Sequence, residues 1–158
     1  LCFVKPRNQV LSRLYKAKVY TPVIECTQNI PCNPCQDACK KGCIKVGDCI
    51  TALPCVSEGA KCSACGMCVA NCSGQAIFLV NEDFEPDYCS ITFPYEFLPL
   101  PQKGEIGTAL SRSGQSLCSA EILEVKTSAA YDKTCLITMK VPSAFVDKAR
   151  FWKKEGGL

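Results

Sequence analysis

Apolar and polar positions alternate most clearly in the second half of the chain. Residues 135–141 carry an apolar side chain at every second position, which predicts a half-buried strand. Residues 117–125 are also strand-like, and turn-forming residues at 112–115 separate them from the apolar stretch before. Three or more strands of this kind predict a small antiparallel sheet or barrel.

A helix is predicted at the C-terminal end of this unit. Ser143 can act as its N-cap directly after Pro142. We interpret its apolar stripe as a packing surface rather than a cofactor site. The stripe would consist of Phe145, Val146, Ala149 and Trp152.

Shorter patterns occur in the first half of the chain. Val23 and Ile24 predict a short strand, and the apolar run 77–80 predicts another. Residues 34–41 and 66–71 each predict a short helix that follows a cysteine-containing loop. These elements alone are too short to indicate a fold, so the cysteine spacing has to be considered with them.

Changes in composition divide the chain into four parts. Residues 1–18 form a basic N-terminal arm, either a segment that packs on something or a solvated extension. Residues 19–88 form a cysteine-rich domain. Residues 89–104 are rich in proline and aromatic residues, and we interpret them as an extended, packed linker. Residues 105–158 form a small β domain that includes the C-terminal helix.

The chain is unusually rich in cysteine and contains no histidine. Fifteen of the 158 residues are cysteine and none is histidine, and cysteine content becomes diagnostic at roughly 8–10%. The absence of histidine excludes Ser–His and Cys–His catalysis, Cys/His zinc fingers and the histidine-ligated Rieske cluster. Since no other nucleophile–base pair is evident, we do not expect this chain alone to catalyse a reaction.

Charge and hydropathy limit the partners and the compartment. The net charge of +3 indicates no strong attraction to nucleic acid, and no apolar run reaches the roughly 20 residues of a membrane span. The first apolar stretch is too short for a signal peptide. We therefore expect a cytoplasmic protein whose clustered cysteines bind metal. A disulfide-stapled secreted domain is the disfavoured alternative, because the cysteine count is odd.

One group of four cysteines has the spacing C-x2-C-x2-C-x3-C. This is the spacing of the bacterial ferredoxin motif for a [4Fe–4S] cluster, in which the fourth cysteine ligates the neighbouring cluster. We expect Gly66, inside this motif, to give the backbone room beside the sulfurs. The group consists of Cys62, Cys65, Cys68 and Cys72.

A group of cysteines earlier in the chain repeats this pattern. Cys32, Cys35 and Cys39 have the same spacing as Cys65, Cys68 and Cys72. Cys26 then corresponds to Cys62, with a widened spacer after it. Cys43 falls at the position of Ala76 in the repeat, which indicates a packed thiol. A competing register would use Cys43 as a ligand in place of Cys26.

The repeat predicts two clusters whose ligands cross between the motifs. Cluster one would be held by Cys26, Cys32, Cys35 and Cys72. Cluster two would be held by Cys62, Cys65, Cys68 and Cys39. We interpret Cys118 and Cys135 as core residues, and Cys49 and Cys55 as packed residues for which ligation stays open. Because this domain is small and poor in large hydrophobes, we expect it to unfold without iron over residues 19–80.

Three stretches resemble a known family. They read YTPVIECTQNIPCNPCQDAC, CSACGMCVANCSGQAIF and FPYEFLPLPQKGE. The first two resemble two-cluster ferredoxin domains, and all three resemble small iron–sulfur subunits of flavin-dependent amino-acid and imino-acid dehydrogenases of the proline, hydroxyproline and sarcosine type. Lys40 and Ser73 depart from the pattern, since ferredoxins usually have proline after the last cysteine of each motif.

The resemblance implies a fold and a function. The fold would be α+β: a bacterial two-[4Fe–4S] ferredoxin-like domain, then a small antiparallel β unit and a C-terminal helix. The chain would relay electrons between flavins, or to an external acceptor, inside a complex whose partner subunits bind FAD or FMN. The alternatives are a freestanding ferredoxin-type carrier and a four-cysteine zinc module. Zinc modules use paired C-x2-C knuckles rather than ladders of cysteines.

Overall fold

The computed structural model describes residues 20–156, so the predicted basic arm, residues 1–18, lies outside the described residues. Within this range the chain forms nine strands and two short α-helices. The helices are α1 Pro34–Ala38 and α2 Met67–Ala70. The strands are β1 Thr21–Ile24, β2 Ile44–Lys45, β3 Cys55–Val56, β4 Ile77–Glu85, β5 Tyr88–Tyr95, β6 Ile106–Leu110, β7 Ser116–Lys126, β8 Cys135–Pro142 and β9 Phe151–Lys154.

Seven of the strands form one antiparallel sheet with the order β1-β4-β5-β8-β7-β6-β9. Strands β2 and β3 form a separate two-stranded ribbon. This architecture overturns the predicted α+β class, because the described residues are mostly β and the two helices are single short turns. The sheet also joins segments that the sequence placed in different parts, since β4 pairs with β5 and β5 pairs with β8.

Strand β4 contributes to two separate cores because its alternate residues face opposite sides of the sheet. Phe78 and Val80 face the sheet core, the larger of the two. Ile77 and Leu79 face the cysteine core, which lies between the sheet and the cysteine loops. The sheet core also includes Ile91, Phe93, Ile122, Ile137 and Met139. The cysteine core also includes Cys35, Ile44, Cys68, Val69 and Leu136.

The sheet curls so that its two ends approach each other. Phe78 on β4 and Phe151 on β9 lie near opposite ends of the strand order, yet their ring centroids are 5.9 Å apart in an edge-to-face contact. Phe93 on β5 contacts Phe151 in the same geometry at 6.3 Å. Such aromatic pairs add stabilisation beyond the area they bury. The concave side of the curled sheet therefore encloses the sheet core.

Strand β8 is buried on both faces, whereas the sequence predicted a half-buried strand. Ile137 and Met139 face the sheet core, and Leu136 faces the cysteine core. The Thr138 hydroxyl is satisfied on the second face by Thr92 of β5 at 2.8 Å. The polar residues of β8 thus pair inside the protein instead of marking a solvent face.

The predicted C-terminal helix is wrong. The segment forms a 3-10 turn at Ser143–Phe145 and then strand β9, which pairs with β6. The backbone N–H of Arg150 donates to Leu110 O at 2.8 Å, and the Trp152 indole donates to Ala120 O at 3.1 Å. The predicted apolar stripe still packs on the sheet core, so pairing with β6 satisfies the backbone that a helix would have satisfied internally.

The proline-rich segment 89–104 is only partly a linker. Its first residues belong to β5, where Pro94 pairs with Leu136 of β8. Phe93 is buried in the sheet core, but Phe97 and Leu98 are 72% and 85% exposed. Phe97 contacts Tyr95 edge-to-face with 5.6 Å between the ring centroids, but both Phe97 and Leu98 stay mostly exposed and are packed less than the sequence predicted.

Other local predictions agree with the structure. Helices α1 and α2, strand β1 and the start of β4 lie where the sequence placed them. The predicted turn at 112–115 closes the β6–β7 hairpin, with the Ser111 N–H donating to Gln115 O at 2.9 Å. Neither helix among residues 20–156 has the length and apolar character needed to cross a membrane.

Candidate iron–sulfur centre

The first predicted cluster corresponds to a cavity of about 420 Å³. Four cysteines from four separate chain positions line it: one after β1, one before α1, one within α1 and one after α2. These are Cys26, Cys32, Cys35 and Cys72. The fold thus gathers at one cavity the four residues that the crossed repeat assigned to cluster one.

The Cys35 thiol at this first site interacts electrostatically with two of its neighbours. Burial raises the pKa of the Cys35 thiol, and the neighbouring thiols of Cys72 and Cys32 raise it further. Negative charge on several thiolates at one place is unfavourable unless a cation compensates it. Deprotonated thiols at the first site would therefore favour a bound cation.

The second group of cysteines surrounds Cys68 on α2. Burial, followed by the neighbouring thiols of Cys62, Cys39 and Cys65 in that order, raises the pKa of Cys68 to about 12. Cys62 is likewise affected first by burial, and its pKa is raised also by Cys65 and Cys39. Cys39, which follows α1, therefore lies with the three leading cysteines of the other motif. Cys72 and Cys39 have exchanged sites, which is the crossed arrangement expected of the repeat.

Matching hydrogen bonds relate the two halves. The backbone N–H of Cys43 donates to the sulfur of Cys39 at 3.2 Å, and the N–H of Ala76 donates to the sulfur of Cys72 at 3.4 Å. Both donors stand four residues after the sulfur that they contact. Cys43 is therefore the structural equivalent of Ala76, as the sequence alignment placed it.

The structure separates the roles of Cys26 and Cys43. Cys26 lines the first cavity. Cys43 is only 2% exposed, and its pKa is raised by burial and then by Cys39 and Cys62, which belong to the second group. Cys43 thus lies beside the second site, away from the position that it would need to replace Cys26.

Backbone donors favour the thiolate form of Cys39. Burial alone would raise the pKa of its thiol, but backbone hydrogen bonds from Ile44, Cys43 and Lys41 lower it below the ordinary value. Hydrogen bonds to a charged form stabilise that form. If the Cys39 sulfur bound a metal, the same donors would reduce its electron density.

The thiols of Cys26, Cys32, Cys35 and Cys72 are free and line one cavity, so all four are available as ligands. Among residues 20–156, no three His, Cys, Asp or Glu side chains are close enough to hold one metal ion.

Gly66 is required by the sheet and not, as the sequence suggested, by the sulfurs. Its φ is +79°, a left-handed conformation that glycine adopts without strain. A Cβ at this position would overlap the Leu136 side chain of β8 and approach the Tyr131 hydroxyl. That hydroxyl donates to Cys65 O at 2.6 Å. The second cysteine loop therefore packs directly on the outer face of the sheet.

The widened spacer after Cys26 packs against the loop that connects the two halves. The Asn29 side chain donates to Thr51 O at 3.1 Å, and the Cys32 N–H donates to Ile50 O at 3.4 Å. Cys49 in this connecting loop is exposed, and Cys55 on β3 is disulfide-bonded. Neither residue lines the first cavity.

Three charged residues at the first site were missed by the sequence analysis. Arg112 lines the cavity together with Glu25, and the Arg150 guanidinium donates to Glu25 at 2.6 Å. The sequence showed Arg112 only as part of a turn, and the other two carried no motif. Their position depends on the curl of the sheet, which no local pattern indicates.

The chain matches no family model, no curated protein and no solved structure. Its function therefore has to be argued from its own residues and their arrangement.

Proposed function

We propose that this chain is a non-catalytic electron-transfer protein that holds two [4Fe–4S] clusters. One would be bound by Cys26, Cys32, Cys35 and Cys72, and the other by Cys62, Cys65, Cys68 and Cys39. The observation that carries the proposal is the crossed grouping, in which Cys72 lies with Cys26, Cys32 and Cys35, and Cys39 lies with Cys62, Cys65 and Cys68. A fold that only buried cysteines as hydrophobes would have no reason to exchange these two.

The residues of the chain have definable roles around such clusters. A [4Fe–4S] cluster supplies one-electron redox chemistry at a potential that hydrogen bonds, charge and solvent access adjust. The N–H groups of Cys43 and Ala76 donate to the two exchanged sulfurs. Burial of Cys35 and Cys68 excludes water from one ligand of each site. The sheet holds the second loop rigidly through Tyr131.

We further propose that the chain works inside a flavin-dependent amino-acid or imino-acid dehydrogenase complex. The sequence resemblance supports this, and the exposed side chains of Phe97 and Leu98 fit it because a partner subunit would bury them. They border a cavity of about 650 Å³ whose wall includes Arg112, and Arg112 also lines the first site. A flavin subunit docked there would lie next to cluster one.

Iron analysis of anaerobically purified protein tests the cluster assignment. We expect about eight irons and an equal amount of sulfide per chain, with brown colour and electron paramagnetic resonance of reduced clusters. Zinc in place of iron would contradict it. Cys72→Ala provides the sharper test of the crossing, because it should remove the cluster that Cys26→Ala removes and leave the one that depends on Cys62.

Purification from the native source tests the partner assignment. We expect the chain to migrate with one or more flavin-containing subunits. If it migrates alone as a small brown protein, it is a freestanding ferredoxin-type carrier, and only the proposal of a complex is wrong.

A further inference from the structure

The turns that follow Cys39 and Cys72 are equivalent in the repeat, but they accept hydrogen bonds from different side chains. The N–H of Gly42 donates to Cys39 O at 2.8 Å, and the N–H of Gln75 donates to Cys72 O at 2.9 Å. Gly42 and Gln75 both have positive φ, at +62° and +48°. These two residues therefore occupy the same turn after the exchanged ligand in each half.

Different donors satisfy the carbonyls of Gly42 and Gln75. The hydroxyl of Ser57 donates to Gly42 O at 3.1 Å, so the donor beside the second site is neutral. In the other half Arg112 donates to Gln75 O at 2.8 Å and to Gly74 O at 3.2 Å. The first site therefore has a permanent cation, since arginine stays protonated in proteins, where the second site has a hydroxyl.

Arg112 reaches the first site from outside the cysteine module. It belongs to the turn of the β6–β7 hairpin, and its guanidinium lies 5.9 Å from the ring centroid of Phe78. It lines the cavity that the four cysteines surround. Through its two hydrogen bonds it also fixes the loop that follows Cys72. The sheet thus places a charge at one cluster site that the cysteine repeat itself does not encode.

Glu25 is the acidic residue among the described residues that line the first cavity, and two arginines share its carboxylate. Its Oε2 lies 4.0 Å from Nη1 of Arg112, and its Oε1 accepts from Nε of Arg150 at 2.6 Å. One carboxylate between two guanidiniums leaves a net charge of about +1 beside the first site by simple counting. The cation at Arg112 is therefore not neutralised by its neighbour.

We infer that Arg112 is a positioning residue that raises the reduction potential at the first site. Reduction adds negative charge to a cluster, and a fixed nearby cation stabilises the reduced form more than the oxidised one. On the turn of the second site the carbonyl of Gly42 accepts from Ser57 instead, and the cations of that turn, Lys40 and Lys41, are exposed side chains. This inference rests on the proposed two-cluster function.

Redox titration of iron-loaded variants under anaerobic conditions tests the inference. In Arg112→Gln, which removes the charge, we expect one of the two midpoint potentials to become more negative while the other stays unchanged. The shifted signal should be the one that is missing from Cys26→Ala. Arg112→Lys keeps the cation and should return the potential towards the wild-type value. Ser57→Ala is the matched control at the equivalent turn, and it should leave the first-site potential unchanged.

Four outcomes would overturn the inference. They are unchanged potentials in Arg112→Gln, a shift to more positive potential, the same shift in Arg112→Lys, and loss of the first cluster from Arg112→Gln, which would mean that Arg112 only clamps the loop. If the wild-type protein holds no iron, the proposed function fails together with the inference. If it holds two clusters and their midpoint potentials are the same in wild type and Arg112→Gln, only the inference fails.

Discussion

The guanidinium Nε of Arg150 lies 2.6 Å from a carboxylate oxygen of Glu25, although 125 positions separate the two residues in the chain. Glu25 directly precedes Cys26, and Arg150 directly precedes β9. Arg150 is 1% exposed. Its other nitrogens donate to the carbonyls of Val146, Ala149 and Asp147. This pair fastens the last strand of the sheet to the start of the first cluster site.

Replacing Arg150 should destabilise the protein strongly. Arg150→Met leaves Glu25 only its 4.0 Å contact with Arg112 and takes the donor from three carbonyls. A buried polar group left without its hydrogen-bond partner costs about 1–3 kcal/mol. Trp152, the single tryptophan of the chain, is buried in the sheet core and reports urea unfolding by fluorescence. Lys126→Ala is the control because its pair with Glu124 is exposed, and it should change stability by no more than about 0.5 kcal/mol. Equal effects of the two changes would contradict the role of the pair.

Gly66→Ala should impair the second cluster. The added methyl group would overlap Leu136, and alanine is strained at a φ of +79°. We expect loss of about four of roughly eight irons per chain, measured by iron analysis. Gly74→Ala is the matched control beside the first site, because a Cβ there meets no atom within 4 Å. Leu136→Ala combined with Gly66→Ala should recover part of the iron, and a double variant as poor as Gly66→Ala would show that the overlap is not the cause.

Cys26 and Cys43 should respond differently to substitution by alanine. Cys26→Ala removes a residue that lines the first cavity and should reduce the iron content by about half. Cys43→Ala reproduces the residue found at the equivalent position, Ala76, and should keep the full iron content. Iron and sulfide analyses of the two variants provide the measurement. The reverse result would establish the competing register.

Iron removal should unfold only one part of the chain. The sheet core contains none of the eight predicted ligands, whereas the cysteine core includes Cys35 and Cys68. We therefore expect amides of residues 26–72 to lose protection from hydrogen exchange in iron-free protein, while β8 stays protected. Peptide-level hydrogen exchange with mass detection makes the comparison. Uniform loss of protection, or none, would contradict it.

Glu105 should give the protein a pH dependence of known sign. Its carboxylate accepts from Lys154 at 2.7 Å and from the Gln102 N–H at 2.9 Å, and these bonds hold its pKa below the ordinary value. A depressed folded-state pKa contributes stability above the unfolded pKa of about 4.3 that is lost as pH falls through the folded value. Glu105→Gln should therefore melt below wild type at pH 7.

The difference should shrink as the pH falls below about 4.3. Melting curves of the two proteins at each pH, in the same iron state, provide the measurement. Lys154→Met should reproduce the effect of Glu105→Gln at pH 7. A constant difference between wild type and Glu105→Gln at all pH values would show that the charge of Glu105 is not its cause.

The sequence indicated local structure well where a short stretch determines it. The turns after Cys39 and Cys72 depend on backbone donors a few residues away, so the repeat was visible in the spacing alone. The hairpin turn before β7 likewise has its signal in four adjacent residues. These predictions required no knowledge of what lies elsewhere in the chain.

The sequence failed where distant pairing decides the backbone. Val146, Ala149 and Trp152 have helical spacing and do reach the sheet core. Val146 lies in a turn with helical dihedrals, and the backbone becomes extended only at β9, because β6 offers an unpaired edge there, with Ala109 opposite Trp152. The same limit concealed Arg112 at the first site. A turn residue and a cavity residue have the same sequence signature until the sheet brings the hairpin to the cysteines.

Because Ile77 and Leu79 face one core while Phe78 and Val80 face the other, β4 tolerates no change in length. Insertion or deletion of one residue between Cys72 and Asn81 would turn every side chain of that stretch to the wrong side. Both halves of the protein would be damaged by the same event. In related sequences we expect this interval to keep its length while its residues vary, and we expect insertions and deletions to accumulate in the segment 96–104.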